Sequence, residues 1–135
     1  INGSLVEQYK NIKLTKHNLK WHVETTVSAL AILKASLELE KEEQKLSDNL
    51  IYPLILRLRG IYIVSCLLKE ERVTTHAIQN LIKQITGSRE SYKAYQRSKS
   101  SLSTKKTVPY KEAYLLYTYL VNEIEKQKQW IRRNG

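Results

Sequence analysis

The sequence predicts an all-α protein, an up-and-down bundle of four to five helices, and three observations carry that prediction. Apolar residues recur every three or four positions over most of the chain, as one face of a helix requires. Glycine (4) and proline (2) are scarce among 135 residues, which leaves little turn chemistry for a many-stranded sheet. No alternating apolar and polar run competes as a strand. Charged residues at 27% and hydrophobic ones at 41% place the chain among globular rather than disordered sequences, in one domain with one core spanning 1–135.

The first helix is expected from residue 5 or 15 to residue 45, with Leu19, Val23, Thr26, Val27, Leu30, Leu33 and Leu37 inward and residues 38–45 as a charged, exposed end. Ser47 or Asp48 then turns the chain or caps the next helix. That second helix covers residues 50–69. It carries Leu54, Leu58, Ile61, Ser65 and Leu68 on one side and Leu56, Ile63 and Leu67 on the other. A helix apolar nearly all round belongs in the middle of a bundle. Pro53 blurs its start by removing a backbone hydrogen bond, and Gly60 marks close helix packing or close approach of a ligand.

A short third helix, residues 75–85, follows a Thr74 or Thr75 cap and ends at Gly87 by the usual C-terminal glycine route. A fourth covers residues 88–99, and residues 100–107 form a polar, basic loop. The last helix starts at Pro109, a favoured first-turn residue, and reaches residue 133. Its inward stripe is Tyr110, Ala113, Tyr114, Tyr117, Leu120, Val121, Ile124 and Ile131. The core is expected at Leu30, Leu58, Ile61, Leu68, Tyr117 and Leu120.

The formal charge of +10 is unevenly spread. Residues 75–107 hold 7 basic and 1 acidic side chain, a net +6 of the whole. A concentrated field of that kind attracts phosphates or acidic surfaces. Arg89, Lys93 and Arg97 stand at i, i+4 and i+8 on the fourth helix, so one face carries all three. Tyr92 and Tyr95 flank that face, and Lys99, Lys105 and Lys106 extend it. Basic groups neutralise phosphates while aromatic rings stack on bases, the combination a nucleotide or nucleic-acid site needs. Arg57 and Arg59 form a second candidate pair. On a central helix they are costly unless paired, with Glu24 for example, or clamped on a phosphate or carboxylate.

Other chemistries find little support. Cys66 is the only cysteine, which excludes disulfides within the chain and cysteine-based zinc sites, and points to a reducing, cytoplasmic setting. His17 and His22 are five apart, on different helix faces, and Asp48 is the only aspartate, so no metal site or catalytic group is assigned and no cofactor is expected. Arg72 and His76 are spaced more closely than the arginine and histidine of HEPN ribonucleases. A helix-turn-helix centred on Gly87 would put Lys83, Thr86, Lys93 and Gln96 where small or apolar residues are needed. Two arginines inside the apolar run of residues 50–68 argue against a membrane span. A chain that begins at Ile1 and contains no methionine reads as part of a longer protein.

The stretch Arg57-Leu-Arg-Gly-Ile-Tyr-Ile-Val-Ser-Cys-Leu-Leu68, together with Tyr92-Lys-Ala-Tyr-Gln-Arg97 and the Tyr/Leu-rich last helix, resembles the helical C-terminal domain of archaeal-type minimal nucleotidyltransferases. The resemblance spans about residues 50–128. It implies a bundle similar to those of kanamycin nucleotidyltransferase and HEPN proteins, packed on a catalytic domain and helping to form the substrate cleft. Such a transferase needs a Gly-Ser turn followed by an Asp-x-Asp pair, and Gly3-Ser4 has no such pair after it. Catalysis is therefore expected from a separate nucleotidyltransferase domain, with this chain inactive alone. The other two expectations are a free-standing RNA- or DNA-binding bundle and an interaction module for an acidic protein.

Overall fold

The computed structural model describes residues 15–42, 45–100 and 106–134. Among the described residues there are five helices and two three-residue strands. In order they are α1 (Lys16–Leu39), β1 (Lys45–Ser47), α2 (Asp48–Lys69), α3 (Thr75–Thr86), α4 (Glu90–Lys99), β2 (Thr107–Pro109) and α5 (Tyr110–Asn134). The all-α bundle predicted from periodicity is what forms.

Each boundary has a local cause. Thr15 holds an extended backbone and its hydroxyl accepts the Asn18 amide at 3.0 Å, so α1 starts there; the alternative start at Leu5 lies outside the described residues. The helix ends at Leu39, earlier than the charge pattern predicts. The chain must turn there to bring Leu46 over the core. Leu46 pairs with Val108 in the antiparallel β1–β2 ribbon, and both side chains are buried. This ribbon is the correction to the strandless reading. It joins the approach to α2 with the approach to α5.

The second helix begins at Asp48, two residues before the expected start and upstream of Pro53. An acidic side chain in the first turn complements the helix dipole, and a bond from Arg97 holds it in place. Thr74 caps α3 by accepting the Ala77 amide at 3.1 Å. Gly87 closes α3 in the left-handed conformation (φ 78°) that glycine adopts without strain, its amide donating to the Lys83 carbonyl at 2.7 Å. α4 and α5 are joined at their starts by a buried carboxylate: Ser88 and Ser91 hydroxyls both donate to Glu112 Oε1, at 2.8 and 2.7 Å.

α2 packs against α1, α4 and α5, as its apolar composition predicts. It is also long and apolar enough to cross a membrane by length and composition alone. Its buried residues include Ile51, Leu54, Ile55, Leu58 and Ile61, while Leu56 on the far side is exposed. The buried stripe of α5 is Ala113, Leu116, Leu120, Ile124 and Gln127. It keeps the expected Ala113, Leu120 and Ile124, with Tyr110, Tyr117, Val121 and Ile131 partly buried against the core; of the expected inward residues Tyr114 is exposed. Leu68 is half-buried and borders a cavity, and Val27 is exposed. Close packing is not what Gly60 serves, because a Cβ there would meet no atom within 4 Å.

A polar thread crosses the bundle. Gln127 donates to the Ile61 carbonyl and to Ser65 Oγ, and its Oε1 accepts from His22 Nε2 at 2.9 Å. Burial depresses the His22 pKa below 6.5; the Gln127 bond opposes this and the nearby Arg57 charge reinforces it. The unfolded chain therefore takes up the proton first as pH falls below about 6.5, and the histidine's contribution to stability declines until the folded-state value is passed. Thermal midpoints measured between pH 7.5 and 5.5 should fall for the parent protein and fall less for His22→Gln. Parallel declines would show that His22 is not depressed.

Candidate anion-binding site

The basic face of α4 is divided by the partners its side chains take. Arg97 turns inward, its Nε donating to Asp48 Oδ2 at 2.7 Å and its Nη2 to Oδ1 at 2.9 Å. The two side chains retain 13% and 12% exposure. The hydrogen bonds to Asp48 raise the Arg97 pKa further above its ordinary value. This fork binds α4 to the first turn of α2, so the guanidinium is neutralised in place. Lys93 lies 3.7 Å from Glu90 in an exposed pair of little energetic weight. Arg89 is exposed just before α4, without a side-chain capping bond. Three free charges in a row, as the spacing implies, are therefore not presented.

The tyrosines are partly structural. Tyr95 is buried, with its ring stacked on Tyr52 at 5.2 Å and 14°. Tyr92 is half-buried, tilted 34° against Tyr95 at 5.9 Å, and its hydroxyl accepts from Gln79 Nε2 at 3.1 Å.

Arg59, Tyr92, Tyr95 and Lys99 nevertheless meet in one place. A cleft of about 70 Å³ opens where α2, α3 and α4 converge, and these four side chains line it together with Ile55, Thr75 and Ile78. α2 supplies Arg59, α4 supplies Lys99 and the two rings, and the capped start of α3 supplies Thr75. The N-terminal end of α3 carries a partial positive charge and amides without intrahelical partners. Among the described residues neither Arg59 nor Lys99 enters an ion pair. Two cations, a helix N-terminus and hydroxyl groups around a small concavity are the groups that can hold an oxyanion. The volume admits a group of a few heavy atoms, such as a phosphate, rather than a whole nucleotide.

Arg57 is half-buried toward His22 and is absent from this cleft, so Arg57 and Arg59 do not act as paired clamps. Glu24, the expected partner of that pair, instead lies 4.0 Å from Lys20 on the surface of α1. Arg72 and His76 are exposed on either side of the Thr74 cap and line no part of the cleft. No group of three or more metal-ligating side chains gathers among the described residues.

Thr75 is the polar cleft residue that sequence reasoning missed, and Asp48 is the unforeseen partner that takes Arg97 away from ligand. The Thr74–Thr75 pair is visible as a capping signal, yet nothing in it shows which helix the capped end faces. No family model, curated protein or solved structure matches this chain, so the function rests on its own geometry.

Proposed function

We propose that the chain is a binding module for phosphate-bearing ligands, nucleotide or nucleic acid, with Arg59 and Lys99 holding one phosphate group at the N-terminus of α3. The observation that supports this reading most is the convergence on a single small cleft of a helix N-terminus and two cations that enter no ion pair among the described residues. The net charge of +10 adds long-range attraction for such a ligand. Tyr92 supplies a half-buried ring beside the phosphate position. In the setting implied by the resemblance, the module presents substrate to the catalytic domain of a nucleotidyltransferase, and that domain carries the chemistry.

The test is a titration of a labelled single-stranded oligonucleotide at three salt concentrations. The double variant Arg59→Gln, Lys99→Gln should bind more weakly. Its log–log salt slope should flatten by about 0.7 for each phosphate it no longer neutralises. Lys34→Gln, exposed on α1 and lining neither this cleft nor the cavity among α2, α3 and α5, serves as the control and should leave both quantities unchanged. Equal affinity and slope in the double variant would sink the proposal. No binding by the parent protein at physiological salt would transfer the basic surface to an acidic protein partner.

A further inference from the structure

A second cavity, about 370 Å³ in volume, opens among α2, α3 and α5. That is within the range of small-molecule sites, and it is several times the volume of the Arg59 cleft. Tyr62, Tyr119 and Trp130 provide aromatic surface, Leu81 an apolar wall, and Ser65 and Gln127 neutral polar groups.

The hydrogen bonding of these groups is informative. Gln127 is fully committed, since both its amide protons go to Ile61 and Ser65 and its oxygen accepts from His22. Ser65 accepts one of those protons and, among the described residues, gives its own to no acceptor. The Tyr119 hydroxyl likewise has no hydrogen-bond partner among the described residues. Burial, aided by the Glu123 charge, raises its pKa, so it remains a protonated donor at working pH. Burial is the chief cause that pushes the Tyr62 hydroxyl up to about 12, so it too stays protonated. The cavity thus offers uncommitted neutral donors beside aromatic faces.

Its charges cancel. Lys69 and Lys126 stand against Glu71 and Glu123, and Lys126 already lies 3.1 Å from Glu123. In a chain with a net charge of +10, this balance distinguishes the cavity from the Arg59 cleft. A ligand selected here gains nothing from carrying either sign.

We propose that this cavity binds an uncharged planar heteroaromatic ring with hydrogen-bond acceptors on its edge, the chemistry of a nucleobase. The ring lies against Tyr62, Tyr119 and Trp130, and the Ser65 and Tyr119 hydroxyls donate to its acceptor atoms. Aromatic contact supplies affinity, and the two donors supply selection against plain hydrocarbons. Ring binding here does not depend on a phosphate in the Arg59 cleft.

Trp130 is the reporter. The other tryptophan, Trp21, is 64% exposed on α1 and lines neither cavity, so Trp21→Phe leaves Trp130 alone to fluoresce. Adenosine, which carries no phosphate, should quench this emission saturably and with little dependence on salt. Ser65→Val and Tyr119→Phe should each weaken that binding about two- to tenfold, as loss of one hydrogen bond does. Leu81→Phe, which narrows the cavity without adding a second tryptophan, should weaken it further. Circular dichroism melts confirm that each variant is folded, and any one folded variant suffices to test the idea. No saturation by adenosine would overturn the proposal. Toluene or a quaternary ammonium ion binding as tightly, with Ser65→Val and Tyr119→Phe indifferent, would overturn it too, in favour of an apolar or a cation-binding pocket. Because the probe lacks phosphate, failure here leaves the Arg59 proposal untouched.

Discussion

Leu58→Ala and Leu120→Ala should each lower the free energy of unfolding by about 2–5 kcal/mol. Both side chains are 0% exposed in one continuous cluster, Leu58 at the middle of α2 and Leu120 at the middle of α5. Truncation removes buried methyl groups and leaves a void that the rigid neighbours fill only in part. Leu56→Ala, two residues away on α2 but 43% exposed, should change stability by no more than about 0.5 kcal/mol. The comparison holds residue type and helix constant and varies only burial. A urea midpoint unchanged in Leu58→Ala would contradict the central place of α2.

Asp48→Asn should destabilise the fold by about 3 kcal/mol, the lower end of what breaking a buried ion pair costs, because a little water still reaches this one. The asparagine keeps the shape of the aspartate and removes the charge that Arg97 requires. The guanidinium is then left at the α2–α4 junction with half its fork unmatched. Replacing both partners, Asp48→Leu with Arg97→Met, should recover much of the loss, since no charge then remains to be solvated. A denaturation series over the two singles and the double gives the coupling directly. If Asp48→Asn is neutral, the fork adds nothing to the fold, and Arg97 becomes available for ligand after all.

What the sequence showed of the fold follows from how local each signal is. Helical periodicity marks the core side of α1 residue by residue, and a capping threonine with a terminal glycine marks α3. These are short-range effects that tertiary packing reinforces. The Leu46–Val108 pairing joins residues 62 positions apart through strands three residues long, too short to show alternation. The Arg97–Asp48 fork spans 49 positions in the same way. A basic side chain at helical spacing announces its face and not its partner, which is why Arg97 read as ligand-facing. The α5 stripe departs from its pattern at Tyr114, because tyrosine suits either side of a helix. Tyr114 is exposed and Tyr117 half-buried, while Leu116 and Gln127 take the inner positions.

The candidate site was legible as an inventory rather than as a place. Arg59, Tyr92, Tyr95 and Lys99 are each visible as basic or aromatic residues, but they come from two helices 33 positions apart at the nearest pair, Arg59 and Tyr92. The end of α3 that joins them carries its charge on the backbone, where no side-chain pattern records it. Arg89 and Lys93 satisfied the same spacing rule and lie outside the cleft.

The most direct test of phosphate binding at the start of α3 is a residue-resolved one. Inorganic pyrophosphate titrated into isotopically labelled protein should move the amide resonances of Thr75 and His76 and the side-chain Nε resonance of Arg59, saturating together. Amides near Arg89 and Lys93 should move little. Shifts spread along Arg89 and Lys93 without Thr75 or Arg59 would contradict a built phosphate site and describe a diffuse basic surface.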